Sequence, residues 1–394
     1  MKLWEKKYLL NKQIEAFTVG NDYVLDQKLI RYDCLGSIAH AKMLSKIGLI
    51  TSEESNKLIM VLYEIIKLNG NDAFIITQEQ EDCHTAIENY LVEKLGDIGK
   101  KIHTGRSRND QVLTALRLYY KDEIENVAQF IDETIKTLKS FNKKFGNIEI
   151  PGYTHMQKAM PSSISMWAES FVESMNDNKT LLFDIKKLID QSPLGTGAGY
   201  GLPIDIDREM TAKLLGFSKI QNNPIYVQNS RGKFEATILH ALGNIMFDIN
   251  KIASDLMLFS MAEFGYFKLP KEFCTGSSII PNKKNPDVLE ILRAKYFKVL
   301  SYEFQIKTII GNLITGYNRD LQLTKESTIN GFEVTKDALE IIKMVIEKTE
   351  VDKVKCKQSM TTDLYATKKV YDLVKKGVPF RDAYQKISQC FENE

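Results

Sequence analysis

Three polar segments carry the residue types from which anion binding and proton transfer are built. The first, His103-Thr104-Gly105-Arg106-Ser107-Arg108-Asn109-Asp110-Gln111, packs two arginines, an asparagine and a histidine into nine residues. It stands directly before a run of helical periodicity. At a helix N-terminus such donors read as an anion site, because the free N–H groups and the dipole also favour negative charge. A plainer reading is a capping box between Ser107 and Asp110; that accounts for a helix start but not for the arginines. The second segment, Pro151-Gly152-Tyr153-Thr154-His155-Met156-Gln157-Lys158, offers one histidine in a turn, whose weight comes only from its company. The third runs from Thr275 to Asp287 and contains Gly276, Ser277, Ser278, Pro281, Lys283, Lys284, Asn285 and Pro286. It is longer than a routine helix connection. Asp287 with Glu290 has the spacing of a cap, yet a basic, hydroxyl-rich loop also suits a lid over an anionic substrate.

Other chemistries find little support. Gly195-Thr196-Gly197-Ala198-Gly199-Tyr200-Gly201 imitates a dinucleotide fingerprint, but Tyr200 stands where the third glycine belongs and no strand precedes it. A tight turn allowing close backbone approach is the better reading. Five cysteines (34, 83, 274, 356, 390) form no C-x-x-C, and five histidines form no H-x-x-x-H pair, so no metal site is expected. A net charge of +2 in 394 residues argues against a nucleic-acid binder held by bulk charge. The charged start Met1-Lys2-Leu3-Trp4-Glu5-Lys6-Lys7 lacks a signal-peptide core, and no apolar run approaches a membrane span. A cytoplasmic protein without membrane or nucleic-acid partners is the expectation.

The elements that must position these segments are long helices. Ile238, Leu242, Ile245, Ile249, Ile252, Leu256 and Phe259 alternate steps of four and three within Glu235 to Glu263, a stretch of roughly 43 Å if helical throughout. A second seam of Leu239, Met246, Ala253 and Met257 flanks the first, so this helix belongs inside a bundle. Val112 to Phe145 reads the same way, with Gly146 as its stop. Ser162 to Asp190 follows, with Pro161 suited to its first turn, and Val288 to Ile310 holds the repeat less regularly. Alternating β patterns are scarce; Phe74-Ile75-Ile76-Thr77 is the best short strand candidate. The expected fold is all-α, in three parts: an N-terminal helical domain over 1–104, a central long-helix bundle over 105–353 and a short C-terminal helical domain over 354–394.

In order, the three polar segments resemble the signature regions of the fumarase/aspartase superfamily. Gly276 to Pro286 is similar to its G-S-S-x-M-P-x-K-x-N loop. His103 to Gln111 and Pro151 to Lys158 resemble blocks of the argininosuccinate lyase family within it. Glu81-Asp82-Cys83-His84, Ser192-Pro193-Leu194-Gly195 and Tyr317-Asn318-Arg319-Asp320-Leu321-Gln322 add to the match, which runs from about Phe17 to Ala383. The resemblance implies a homotetramer whose multi-helix core is shared and whose active sites draw loops from three subunits. It implies reversible β-elimination of argininosuccinate to arginine and fumarate, in arginine biosynthesis, with no cofactor. It also implies catalytic roles for Ser277, His155, Lys283, Asn285 and Glu290, the last paired with His155. Asn109, Thr154, Tyr317, Gln322, Lys325, Arg108 and His84 would contact substrate. Which of Ser277 and His155 moves which proton stays open, as do a sister lyase acting on adenylosuccinate and a catalytically silent crystallin-like homologue. Ile280, Asn282, an acidic Asp22 at an N-terminal substrate contact, and the stretch Asn229-Ser230-Arg231-Gly232-Lys233-Phe234 depart from the usual pattern. Glu394 ends the chain early by comparison with many relatives.

Overall fold

The structure, a computed structural model, describes residues 11–391. The charged start Met1–Lys7 lies outside them. The fold is mainly helical, as the periodicity predicts. Its principal elements are α1 (Cys83–Leu95), α2 (Arg108–Phe145), a hairpin of β1 (Glu149–Thr154) and β2 (Gln157–Ser163), α3 (Ile164–Ile189), α4 (Lys233–Ser260), α5 (Asp287–Ile309) and α6 (Thr324–Lys348). In α2 every predicted seam residue from Leu113 through Tyr120 and Ile131 to Phe145 is buried. In α4 the first seam is buried from Ile238 to Leu256 and the second at Leu239, Met246 and Ala253, while Met257 and Phe259 near the helix end are half-buried. One chain therefore supplies the neighbours that the second seam demands, and that seam is no argument for partner subunits.

Two local expectations fail for physical reasons. Phe74–Thr77 alternates in burial as a strand would, with Phe74 and Ile76 inside, but it is no strand. Its hydrogen bonds go to one side chain: Gln27 Nε2 donates to the Phe74 carbonyl at 2.5 Å, and the Ile76 N–H donates to Gln27 Oε1 at 3.2 Å. A glutamine amide thus replaces the partner strand. Pro161 lies in β2 rather than in the first turn of α3, directly opposite Pro151. Neither proline has an N–H to give, so the pair loses nothing by facing each other. The helix starts instead after Ser163, whose Oγ accepts from the Met166 N–H at 3.0 Å.

The chain forms two compact units, neither of them one stretch of sequence. The first comprises Met1–Asn126, Leu181–His240 and Ser301–Phe332. Its core includes Tyr120 stacked on Phe332, ring centroids 6.1 Å apart, with Tyr119 edge-on to the same ring. The second comprises Val127–Thr180, Ala241–Leu300 and Glu333–Glu394. Here Phe141, Trp167 and Phe267 form an aromatic nest, and the Trp167 indole donates to Asp255 Oδ2 at 2.9 Å. A half-buried indole N–H so satisfied keeps much of the ring's apolar surface against the core without an unpaired donor.

Candidate active site

The first polar segment does two jobs. Ser107 and Asp110 cap α2: the Ser107 N–H donates to Asp110 Oδ1 at 2.9 Å. The other oxygen, Oδ2, accepts from the N–H groups of Gly195 and Gly197, each at 2.9 Å. The glycine run is thus a cradle for an internal carboxylate, not for a dinucleotide. Burial pushes Asp110 up to about 6 against the pull of these N–H donors and of Arg106. Of the two arginines, Arg106 is structural, buried with Nη1 2.8 Å from Ser37 Oγ. His103 is pushed down to about 4 by burial and by Arg106 and Arg108, and its Nδ1 faces Glu88 at 3.7 Å. Only Arg108 and Asn109 turn towards a site.

That site is a cavity of about 320 Å³ in the first unit. It brings together His84 from α1, Arg108 and Asn109 from the first turn of α2, and Tyr317, Gln322 and Lys325 from the segment leading into α6. Arg108 is held by Asp82 at 3.1 Å, Glu81 at 3.3 Å and the Thr85 hydroxyl at 2.7 Å. Lys325 is buried, its ammonium 2.5 Å from Asp26 and 3.2 Å from Asp22. Burial alone would discharge this lysine; the two carboxylates reverse the sign and hold its pKa above the ordinary value. Asp22, the acidic departure near the N-terminus, is thereby matched by a cation. Burial still raises its pKa, with Lys325 opposing and Asp26 adding to the rise. Gln322 donates to the carbonyls of Thr18 and Val19 at 3.1 and 3.3 Å. Arg231 and Arg319 also line the cavity, and the residue types alone did not single them out.

His84 is fully enclosed, and its Nδ1 lies 3.0 Å from Asp33 Oδ1. Asp33 in turn accepts from Gln111 Nε2 at 2.9 and 3.1 Å. Burial pushes the imidazole down, but Asp33, with Asp82 and Asp26 beyond it, leaves its pKa raised above 6.5. The charged form is therefore the one the fold favours. Its stabilisation is complete below pH 6.5 and is lost as pH rises through the higher native value. We expect Asp33→Asn to bring the His84 titration below 6.5, read by NMR of the imidazole protons, and to destabilise the protein by about 3 kcal/mol at pH 6. The penalty should shrink in alkaline buffer; one independent of pH would show that His84 is neutral. Asp26, Cys83 and His84 bring potential ligand atoms within 4.8 Å of one another. The Asp26 carboxylate already holds the Lys325 ammonium, and burial raises the Cys83 thiol well above its ordinary value, with Asp26 and Asp33 adding to the rise. This trio suits hydrogen bonding better than a cation.

The other predicted residues belong to the second unit. Thr154 and His155 lie exposed at the tip of the β1–β2 hairpin. His155 and Met156 both have positive φ, 53° and 61°, the pattern of a type I′ turn usually made by Asn-Gly. The stem is tied down: the hydroxyls of Tyr153 and Tyr266 are 2.7 Å apart, and Lys158 Nζ donates to the Ser359 carbonyl at 2.8 Å. The third segment is a closed loop. Thr275 and Asn285 exchange backbone hydrogen bonds at 2.9 Å in both directions, and the Thr275 hydroxyl bonds the Asp287 carboxylate. Asp287 thus ties the two ends of the loop together. Ser277 Oγ accepts from the N–H groups of Ile279 at 3.3 Å and Ile280 at 3.1 Å. Asn285 Nδ2 donates to the Gly276 carbonyl at 3.4 Å, and Lys283 lies exposed on the same loop. Glu290 is exposed in the first turn of α5. Among the described residues no hydrogen bond or ion pair joins the side chains of His155 and Glu290.

Comparison with known proteins bears on the family and the fold. The family described as "Lyase" matches residues 4–301. An argininosuccinate lyase of Thermotoga neapolitana is 52% identical over 393 residues, covering 100% of this chain and 99% of its own length. That of Bacteroides fragilis is 42% identical, covering 99% of this chain and 88% of its own. Among solved structures, a variant of EDDS lyase with bound fumarate superimposes with a TM-score of 0.81 at 21% identity, covering 95% of this chain and 74% of that one. A class II fumarase from Schistosoma mansoni gives 0.80 at 17% identity, covering 95% and 91%. At such identities these two speak for the fold alone.

Proposed function

The chain belongs to the argininosuccinate lyase family, and from that premise we propose how its residues divide the reversible cleavage of argininosuccinate to arginine and fumarate. The C–N bond breaks by β-elimination. A base takes a proton from the carbon beside a carboxylate, and the electron pair left behind spreads into that carboxylate as a dianion. The pair then forms the C=C bond of fumarate while the C–N electrons leave with nitrogen, which takes up a proton. Fixed positive charge and donors must stand where the new charge appears.

The observation that carries this reading is the loop from Thr275 to Asn285. Two backbone N–H groups donate to Ser277 Oγ, and Lys283 and Asn285 lie on the same loop. Donors aimed at a hydroxyl oxygen favour its ionised form, as does nearby cationic charge. We assign Ser277 as the proton-abstracting base and Lys283 with Asn285 as the partners of the dianion. His155, oriented by Glu290 of another subunit, serves the leaving nitrogen. Thr154 contacts substrate beside it, and Arg108, Asn109, Tyr317, Gln322, Lys325 and His84 hold the substrate within their cavity. A homotetramer with shared sites is part of the proposal. It is supported by Phe297 and Phe304, seven residues apart on one face of α5 and 62 and 69% exposed, with Ile291 59% exposed about a third of a turn away. Such a stripe of large apolar side chains on one helix suits packing against further copies. The test is fumarate absorbance on mixing purified protein with argininosuccinate, with the oligomer sized by light scattering in the same buffer. Fumarate release by a tetramer is expected. Cleavage of adenylosuccinate instead would overturn the substrate, and a fully active monomer would overturn the shared sites.

A further inference from the structure

The segment Asn229–Phe234, which departs from the family pattern, places Arg231 in the wall of the cavity. This side chain is 5% exposed, and its Nε has no hydrogen-bond partner. Among the described residues its guanidinium makes no hydrogen bond and no ion pair; its carbon lies 5.8 Å from the centre of the Tyr317 ring. The nearby Glu235 carboxylate is turned to the backbone, taking the Gly232 N–H at 2.6 Å. A buried cation left without an acceptor is unfavourable, so a ligand that supplies one gains affinity. The backbone that presents it is fixed. Ser230 is bonded by Arg117 Nη2 at 3.0 Å, and Asn229 Oδ1 accepts from the Gly316 N–H at 2.9 Å. Gly232 has φ +81°, and a Cβ there would lie 2.2 Å from Ile310.

The other cations of the cavity are occupied. Arg108 is on Glu81 and Asp82, Lys325 on Asp22 and Asp26, and Arg319 on the Thr18 carbonyl at 3.0 Å. The cavity also holds Asp22, Asp26, Glu81 and Asp82. These four carboxylates balance Arg108, Arg231, Arg319 and Lys325, so a dicarboxylate would bring two negative charges to a wall in which only Arg231 lacks an acceptor. An amino-acid group, one ammonium and one carboxylate, matches the mixture. We propose that Arg231 is a substrate-binding residue that grips the α-carboxylate at the arginine end of the substrate. The assignment rests on the substrate reading given above.

The test removes the carboxylate and the guanidinium in turn. Arginine, agmatine (arginine without its α-carboxylate) and fumarate are titrated calorimetrically into the purified oligomer of the wild type, Arg231→Gln and Arg231→Lys. The wild type should bind arginine about 10- to 100-fold more tightly than agmatine, the range for a hydrogen bond to a charged group. In Arg231→Gln that advantage should collapse, with agmatine and fumarate unchanged and Arg231→Lys intermediate. KM for argininosuccinate should rise by a similar factor with kcat nearly constant, since the grip is the same in ground and transition states. Arginine affinity unchanged in a well-folded Arg231→Gln protein overturns the assignment, as does loss of fumarate affinity instead. Should Arg231→Gln not fold, the wild type still decides: no preference for arginine over agmatine refutes the inference. Failure of the wild type to release fumarate from argininosuccinate would instead refute the substrate reading.

Discussion

Ser277→Ala is expected to lower kcat by about 100- to 10,000-fold, the usual loss when one proton-transfer group is removed. The oligomer should remain intact, because Ser277 belongs to a loop closed by the Thr275–Asn285 backbone pair rather than by its own hydroxyl. What disappears is the oxygen towards which the Ile279 and Ile280 N–H groups point. KM should change little, since the hydroxyl is asked to act on a C–H bond and not to hold the ground state. Single-turnover measurement of fumarate formation checks this, because a slow product-release step could otherwise hide part of the loss. Near-normal turnover in the alanine variant would remove the loop from the chemistry.

The second large effect is expected at the hairpin tip. His155→Asn should also lower kcat by about 100- to 10,000-fold. Asparagine is the informative replacement because it tolerates positive φ, so the turn at 53° is kept while the titrating ring is lost. The imidazole is exposed and no described residue bonds it, so in the proposed assembly its partner belongs to another chain. Subunits of His155→Asn and Ser277→Ala, each inactive alone, should then recover activity on mixing, because some mixed sites receive both intact groups. Assay after confirmed subunit exchange measures this; no recovery would mean that each chain builds its own site.

Much of the fold was legible because its signal is repetitive. Ten seam positions of α2, from Leu113 to Phe145, announce a helix many times over. Of the hairpin only the turn around His155 is legible: β1 and β2 hold prolines facing each other, which strands seldom contain, and His155 and Met156 are not the usual residues for positive φ. The false strand at Phe74 had a real alternation, but alternation cannot reveal that Gln27, dozens of residues away, supplies the hydrogen bonds. At the candidate site, Arg108 and Asn109 could be read from their place at a helix start. Arg106 could not be told from Arg108, because which arginine reaches the core depends on Ser37 being opposite. Arg231 and the match between Asp22 and Lys325 are long-range facts of the same kind. Their only trace in the letters was that Asp22 and the 229–234 stretch broke the family pattern.

The left-handed backbone at His155 and Met156 bears on how this protein would respond to selection in the laboratory. A non-glycine residue in that conformation is less favourable by about 1–3 kcal/mol. Glycine or asparagine at either position would relieve that burden, so a library screened for survival of heating should enrich for changes at this tip. At position 156 such variants can stay active, whereas those at 155 would be hardier and inert. Thermal resistance and turnover are thus set against each other at one residue, and a screen that reads only the first will discard the second.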